Sequence, residues 1–99
     1  MTSFAAHITE DRRLCILRLL AHAPGYAANE SILHTALKTF GHGVGRDQVR
    51  TDLAWLDEQG LVFVEDVGDI KVASASARGV EAAQGLVEAP GVKKPSAPR

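Results

Sequence analysis

Four histidines, one cysteine and five serines are the side chains from which a metal site or a nucleophile could be built. His7, His22, His34 and His42 are scattered, with no cysteine cluster beside them and no i, i+4 pair on one helix. A metal needs three or four convergent ligands, so no metal site is expected. Ser3, Ser31, Ser74, Ser76 and Ser96 have no His/Asp partners in a nucleophile motif, so no catalytic residue is assigned and the chain is not expected to be an enzyme. Gly41 to Gly45 lacks the Lys-Ser/Thr of a phosphate-binding loop and follows a helical rather than a strand pattern, which makes it an interhelical turn. No cofactor is implied. Cys15 sits among apolar neighbours and reads as a small core residue.

The elements that hold these residues are legible from periodicity. A first helix opens near Thr9, with Glu10 and Asp11 favoured by the helix dipole, and ends near His22 before Pro24-Gly25. Ile16, Leu17 and Leu20 form one apolar stripe on it, and Ile8, Cys15 and Leu19 a second on nearly the opposite side. The second stripe calls for cover from the last helix or from a partner subunit. Asn29 caps a second helix in which Leu33, Ala36, Leu37 and Phe40 repeat at helical spacing, and Gly41 takes the left-handed position after it. The third helix spans Arg46 to Gln59 and ends at Gly60, with Val49, Leu53 and Leu56 inward and Arg50, Thr51, Ala54 and Glu58 outward. Trp55 lies at the edge of the inward face, partly covered. Leu61–Val64 and Ile70–Ala73 flank the turn Val67-Gly68-Asp69 as a hairpin. Ser74 or Ser76 then caps a last helix to about Val87. Residues 1–88 thus form one domain, and 89–99, with Pro90, Pro95 and Pro98, an extended flexible tail.

Composition bounds the class. The chain has 99 residues, is 45% hydrophobic and 23% charged, and so is an ordinary globular domain. A core this small gains from self-association, which makes a homodimer the expected state. No apolar run reaches the ~20 residues of a membrane-spanning helix, and Met1–Asp11 lacks a signal core, so no membrane role and a cytoplasmic location are expected. The single cysteine agrees with a reducing compartment.

Helix, helix, glycine turn, helix, hairpin, helix is the winged helix-turn-helix order, mainly α with a small β-hairpin (α-α-α-β-β-α). The run Val49-Arg50-Thr51-Asp52-Leu53-Ala54-Trp55-Leu56-Asp57-Glu58-Gln59-Gly60-Leu61-Val62 resembles the recognition-helix-to-wing pattern of winged-helix regulators. From Phe4-Ala5-Ala6-His7-Ile8 through the Pro-Gly-Val-Lys-Lys-Pro tail, the chain is similar to the small winged-helix proteins of Mu-like transposable phages and prophages. The resemblance implies a DNA-binding transcriptional regulator acting as a dimer on double-stranded DNA in the host cytoplasm. Its third helix would enter the major groove, where Arg46, Gln48, Arg50 and Thr51 have suitable chemistry, arginine for guanine and glutamine for adenine. Asn29 and Ser31, at the start of the second helix, would hold a phosphate.

Charge opposes part of this. The net charge is −1, and from Asp57 to Asp69 the charged residues are Asp57, Glu58, Glu65, Asp66 and Asp69, all acidic. Such a wing is repelled by phosphates. The alternative is a protein-interaction module that uses its acidic wing against a basic protein partner and does not bind DNA. Arg46 and Arg50 are then solvated residues paired with acids on their own helix, Arg46 with Asp47 and Arg50 with Asp47 or Asp57.

Overall fold

A computed structural model describes residues 3–96. The chain runs α1 (Phe4–His22), a 3-10 turn (Pro24–Tyr26), β1 (Ala27–Asn29), α2 (Glu30–Thr39), α3 (Arg46–Glu58), β2 (Val62–Val67), β3 (Ile70–Ala75) and α4 (Ala77–Gln84). This is a mainly helical fold with a small antiparallel sheet, in a winged-helix-like arrangement. No described helix is long and apolar enough to cross a membrane.

The inward residues of three helices meet at one centre. Ile16, Leu17 and Leu20 of α1, Leu33 and Leu37 of α2, and Val49, Leu53 and Leu56 of α3 are buried together with Leu61 and Val62. Gly60, at φ +73°, breaks α3, and the Leu61 N–H returns to the Leu56 carbonyl at 3.0 Å, sending the chain directly into β2. Asn29 caps α2 as its type suggests, accepting from the Ile32 N–H at 2.9 Å.

Several boundaries differ from the sequence reading. Ser3, not Thr9, caps α1, accepting from the Ala6 N–H at 3.1 Å. Thr9 lies inside the helix and donates its hydroxyl to the Ala5 carbonyl at 3.0 Å. Helix-favouring alanines at 5 and 6 let α1 extend back past Thr9. The sheet has a third strand: β1 pairs antiparallel with β3, giving the order β1-β3-β2. The hairpin is longer than expected, pairing Val62 with Ala75 through Val67 with Ile70 around Gly68-Asp69. Ser76 is the cap of α4, accepting from the Gly79 N–H at 3.0 Å, and the left-handed Gly85 ends the helix before Val87. Phe40, placed by periodicity on the inward face of α2, stands at its C-terminal end and is 62% exposed.

Two close approaches fix the periphery. A Cβ on Gly79 would overlap the Leu61 carbonyl oxygen, so only glycine lets α4 sit against the α3–β2 junction. After α4 the chain lies back across α1 and α3. Arg13 stacks on Trp55 with its guanidinium carbon 3.7 Å from the ring centroid, and its Nη1 donates to the Gly91 carbonyl at 2.9 Å. The Lys93 N–H reaches the Glu10 carbonyl at 3.2 Å, and Ala89 and Val92 pack on the core.

Candidate functional site

Arg46 and Arg50 are one helical turn apart, so both side chains leave α3 on the same side. That side faces the first residue of α2. Glu30 is fully buried there and gathers four donors. Arg50 gives Nε at 2.6 Å and Nη2 at 3.0 Å, Arg46 gives Nε at 3.3 Å, and the Lys71 N–H of β3 comes within 2.6 Å. Hydrogen bonds from Arg50 outweigh the cost of burial and, with help from the Lys71 N–H and Arg46, hold the Glu30 carboxyl down at about 2 against an ordinary 4.5. The same bonds raise the pKa of Arg50. Arg50 Nη2 also donates to the Asp69 carbonyl in the hairpin turn at 3.1 Å. One buried carboxylate therefore ties together the start of α2, the first two turns of α3 and the start of β3, and Arg50 carries the tie on to the wing tip.

The acids expected to pair with these arginines were the wrong ones. Neither Asp47 nor Asp57 receives a hydrogen bond from Arg46 or Arg50; Glu30 of the neighbouring helix does. An interhelical partner already buried and pre-positioned wins over an exposed acid on the same helix, where both side chains would have to be ordered in water.

Gln48 donates its Nε2 to Asp52 Oδ1 at 3.1 Å. Asp52 in turn is buried and forms a bidentate pair with the buried Arg12 of α1. Thr51 lies on the open side of α3, its hydroxyl donating to the Asp47 carbonyl at 3.0 Å. Asn29 is committed to its capping bond, with the buried Glu30 carboxylate as its neighbour. Ser31 lies at the rim of a shallow depression with Ile32, Thr35 and Ala36. The structure thus brings Arg46 and Arg50 together, sets Thr51 on the outer flank, and turns Gln48 and Asn29 toward internal partners.

The guanidinium groups stay accessible on their outer sides, the Arg46 and Arg50 side chains being 43% and 42% exposed. Beside them a furrow between α3 and the wing is lined by Arg50, Ala54, Asp57, Val64, Asp66 and Lys71. Lys71 Nζ meets Asp66 Oδ1 at 2.8 Å, so one wing acid is balanced on its own hairpin. Glu65 and Asp69 remain outward. Among the described residues no group of three or more His, Cys, Asp or Glu side chains converges as a metal site would need.

Glu30, Lys71 and the Asp69 carbonyl escaped sequence reading. The only local signal for Glu30 was an acid in the first turn of a helix, which usually marks a solvated residue favoured by the dipole. A second internal contact was equally silent: His42 Nε2 lies 2.7 Å from Asp11 Oδ2, with Lys93 Nζ 3.3 Å from Oδ1. Burial pushes the Asp11 carboxyl up, but the bonds from His42 and Lys93 prevail and leave it below its ordinary value.

No described protein-family profile matches the chain, and no solved structure does. Two curated proteins are similar to it. The uncharacterized protein gp26 of Escherichia phage Mu is 47% identical over 88 residues, covering 89% of this chain and 91% of gp26. An uncharacterized protein of Haemophilus influenzae strain Rd is 52% identical over 67 residues, covering 68% of this chain. The chain spans 65% of the length of that Haemophilus protein.

Proposed function

This chain belongs to the family of the phage Mu protein gp26, and from that premise we propose that it is a phage-type winged-helix DNA-binding regulator, not an enzyme, that works as a homodimer in the host cytoplasm. The third helix enters the major groove by its first two turns. Arg46 and Arg50 present their outer edges to bases or phosphates, while Glu30 fixes the inner edges. Thr51 stands on the same open flank. The supporting observation is this pre-positioning: two arginines one turn apart, each about two-fifths exposed, are oriented by a carboxylate that is itself fully buried. A ligand then meets donors whose side-chain freedom has already been lost.

The test is retention of duplexes from a random pool by the full-length protein, followed by affinity against salt. A dimer with few basic contacts per subunit should show a log–log slope on the order of −3 to −6. Arg46→Ala should weaken binding to a selected site by about 1–3 kcal/mol if the residue reads a base. Failure to retain any duplex at low salt overturns the proposal.

A second reading rests on the wing, where Asp66 is 72% exposed and Glu65 and Asp69 also face outward. On that reading the acidic hairpin docks a basic protein and DNA is not bound. Reversing Glu65 and Asp66 to lysine separates the two. Duplex affinity should rise if DNA is the partner, whereas binding of a basic peptide probe should vanish if the wing is the contact.

A further inference from the structure

Phe4, Ile8, Asp11, Cys15, Arg18 and His22 follow one another along α1 at alternating steps of four and three. At 3.6 residues per turn they fall within an arc of about 80°. This is the spacing by which one helix meets another along a seam. The chain itself leaves the seam largely open. Gly79 of α4 sits against Leu17, on another side of α1, while Phe4 is 78% and Ile8 37% exposed. In the C-terminal half, Cys15, Arg18, Leu19 and His22 line a groove of about 530 Å³ whose far wall is the outward-standing Phe40.

We propose that this face of α1 pairs antiparallel with the same face of a second copy, the two-fold axis crossing the helix between Leu14 and Cys15. The charges single out that occupant. Asp11 and Arg18 stand one heptad apart on the seam, equally far from the axis, so the pairing sets Asp11 of each copy opposite Arg18 of the other. A two-fold interface must be self-complementary in this way, whereas any other partner would need the opposite pattern supplied independently. The same operation carries Ile8 of each copy to the partner's Leu19–His22 groove, and Phe4 to the end of α1 beside it. Asp11 can serve both its internal bonds and the partner, since its side chain is 43% exposed. A lipid surface is a poor alternative, because a carboxylate and a guanidinium both interrupt the apolar stripe. The proposal names the surface for the dimer assumed above and does not depend on DNA.

Sedimentation equilibrium of the full-length protein without DNA tests it. The protein should be dimeric at about 100 µM, and Arg18→Asp, which sets like charges opposite each other twice, should weaken association at least tenfold. Arg18→Lys should restore most of it, since Arg18 is exposed and its loss does not endanger the fold. Cys15 lies beside the axis and would be covered by the pairing, so its alkylation by N-ethylmaleimide should slow as the protein dimerises and recover in Arg18→Asp. A monomer at that concentration, a dimer indifferent to Arg18→Asp, or a dimer whose Cys15 is alkylated as fast as that of the dilute monomer would each overturn the pairing. A dimer that retains no duplex sinks the DNA reading and spares this one; a monomer that retains duplex does the reverse.

Discussion

Replacing Glu30 by glutamine removes the charge from the junction of α2, α3 and β3 with almost no change in shape. The fall of the carboxyl from 4.5 to about 2 on folding corresponds to at most about 3 kcal/mol of stability at neutral pH. The Arg50 side chain that supplies most of the effect is 42% exposed, and water screens the pair, so about 2 kcal/mol is the expected loss. For a domain of this size that lowers Tm by roughly 8–16 °C. The sign is set by a depressed acid. The stabilisation is fully present above pH 4.5, declines as pH falls from 4.5 toward 2, and is gone once the folded carboxylate is protonated. Urea melts of both proteins at pH 7, 4.5 and 3, followed by the fluorescence of Trp55, measure it directly. The gap between wild type and Glu30→Gln should be widest at pH 7 and less than half as large at pH 3. Equal stabilities at pH 7, or a gap that persists undiminished at pH 3, would refute the reasoning.

Two further substitutions probe how the periphery is attached. Gly79→Ala forces a methyl into the Leu61 carbonyl, and α4 must shift; a loss of about 1–3 kcal/mol in the same melts is expected, and a neutral result would mean α4 can slide freely. Gly91→Ala combines a φ of +90° with a Cβ 2.7 Å from the Trp55 ring. It should release the residues after α4 from Trp55, seen as a red-shifted emission and faster proteolysis near the C-terminus, while the helical circular dichroism stays unchanged. An unaltered emission spectrum would argue that the Arg13–Trp55–Gly91 contact does not order this segment.

The helices and the hairpin were readable because their signals are local. Val49, Leu53 and Leu56 repeat at a helical period and are all fully buried, and Asn29 and Gly60 mark helix ends by their own backbone preferences. Where the reading failed, the cause lay outside the local window. β1 is Ala27-Ala28-Asn29, with no β-branched residue; it is a strand only because β3 passes beside it. Phe40 fits the period of α2, yet it falls at the C-cap, beyond the last turn that faces the core. The candidate site shows the same division. The four candidate contact residues of α3, Arg46, Gln48, Arg50 and Thr51, could be named from the helix alone, but Gln48 is held by Asp52 within a network reaching α1, and Arg12 lies 40 positions from its partner. No spacing rule spans such a gap.

Glu30 also constrains how the wing can take part in recognition. A hairpin joined to its domain only at its base could swing away from a phosphate backbone that repels it. Here Lys71, next to the turn, is held through its N–H by the carboxylate that orients Arg50, and Arg50 grips the Asp69 carbonyl in the turn itself. The acidic tip is therefore carried at a set position relative to the first turns of α3. If α3 enters a major groove, Glu65 and Asp66 cannot relax away from the duplex without breaking the bond from Arg50 to the Asp69 carbonyl or that from the Lys71 N–H to Glu30. The repulsion then becomes a term in the binding geometry, favouring a pose in which the C-terminal end of α3 and the wing tilt outward and Arg46 leads. Under that pose the wing reversal should strengthen binding more than Arg46→Ala weakens it, and the two effects should not add, because relieving the repulsion lets Arg50 approach as well. Additive effects would mean that the hairpin and α3 move independently, against the bonds that join them.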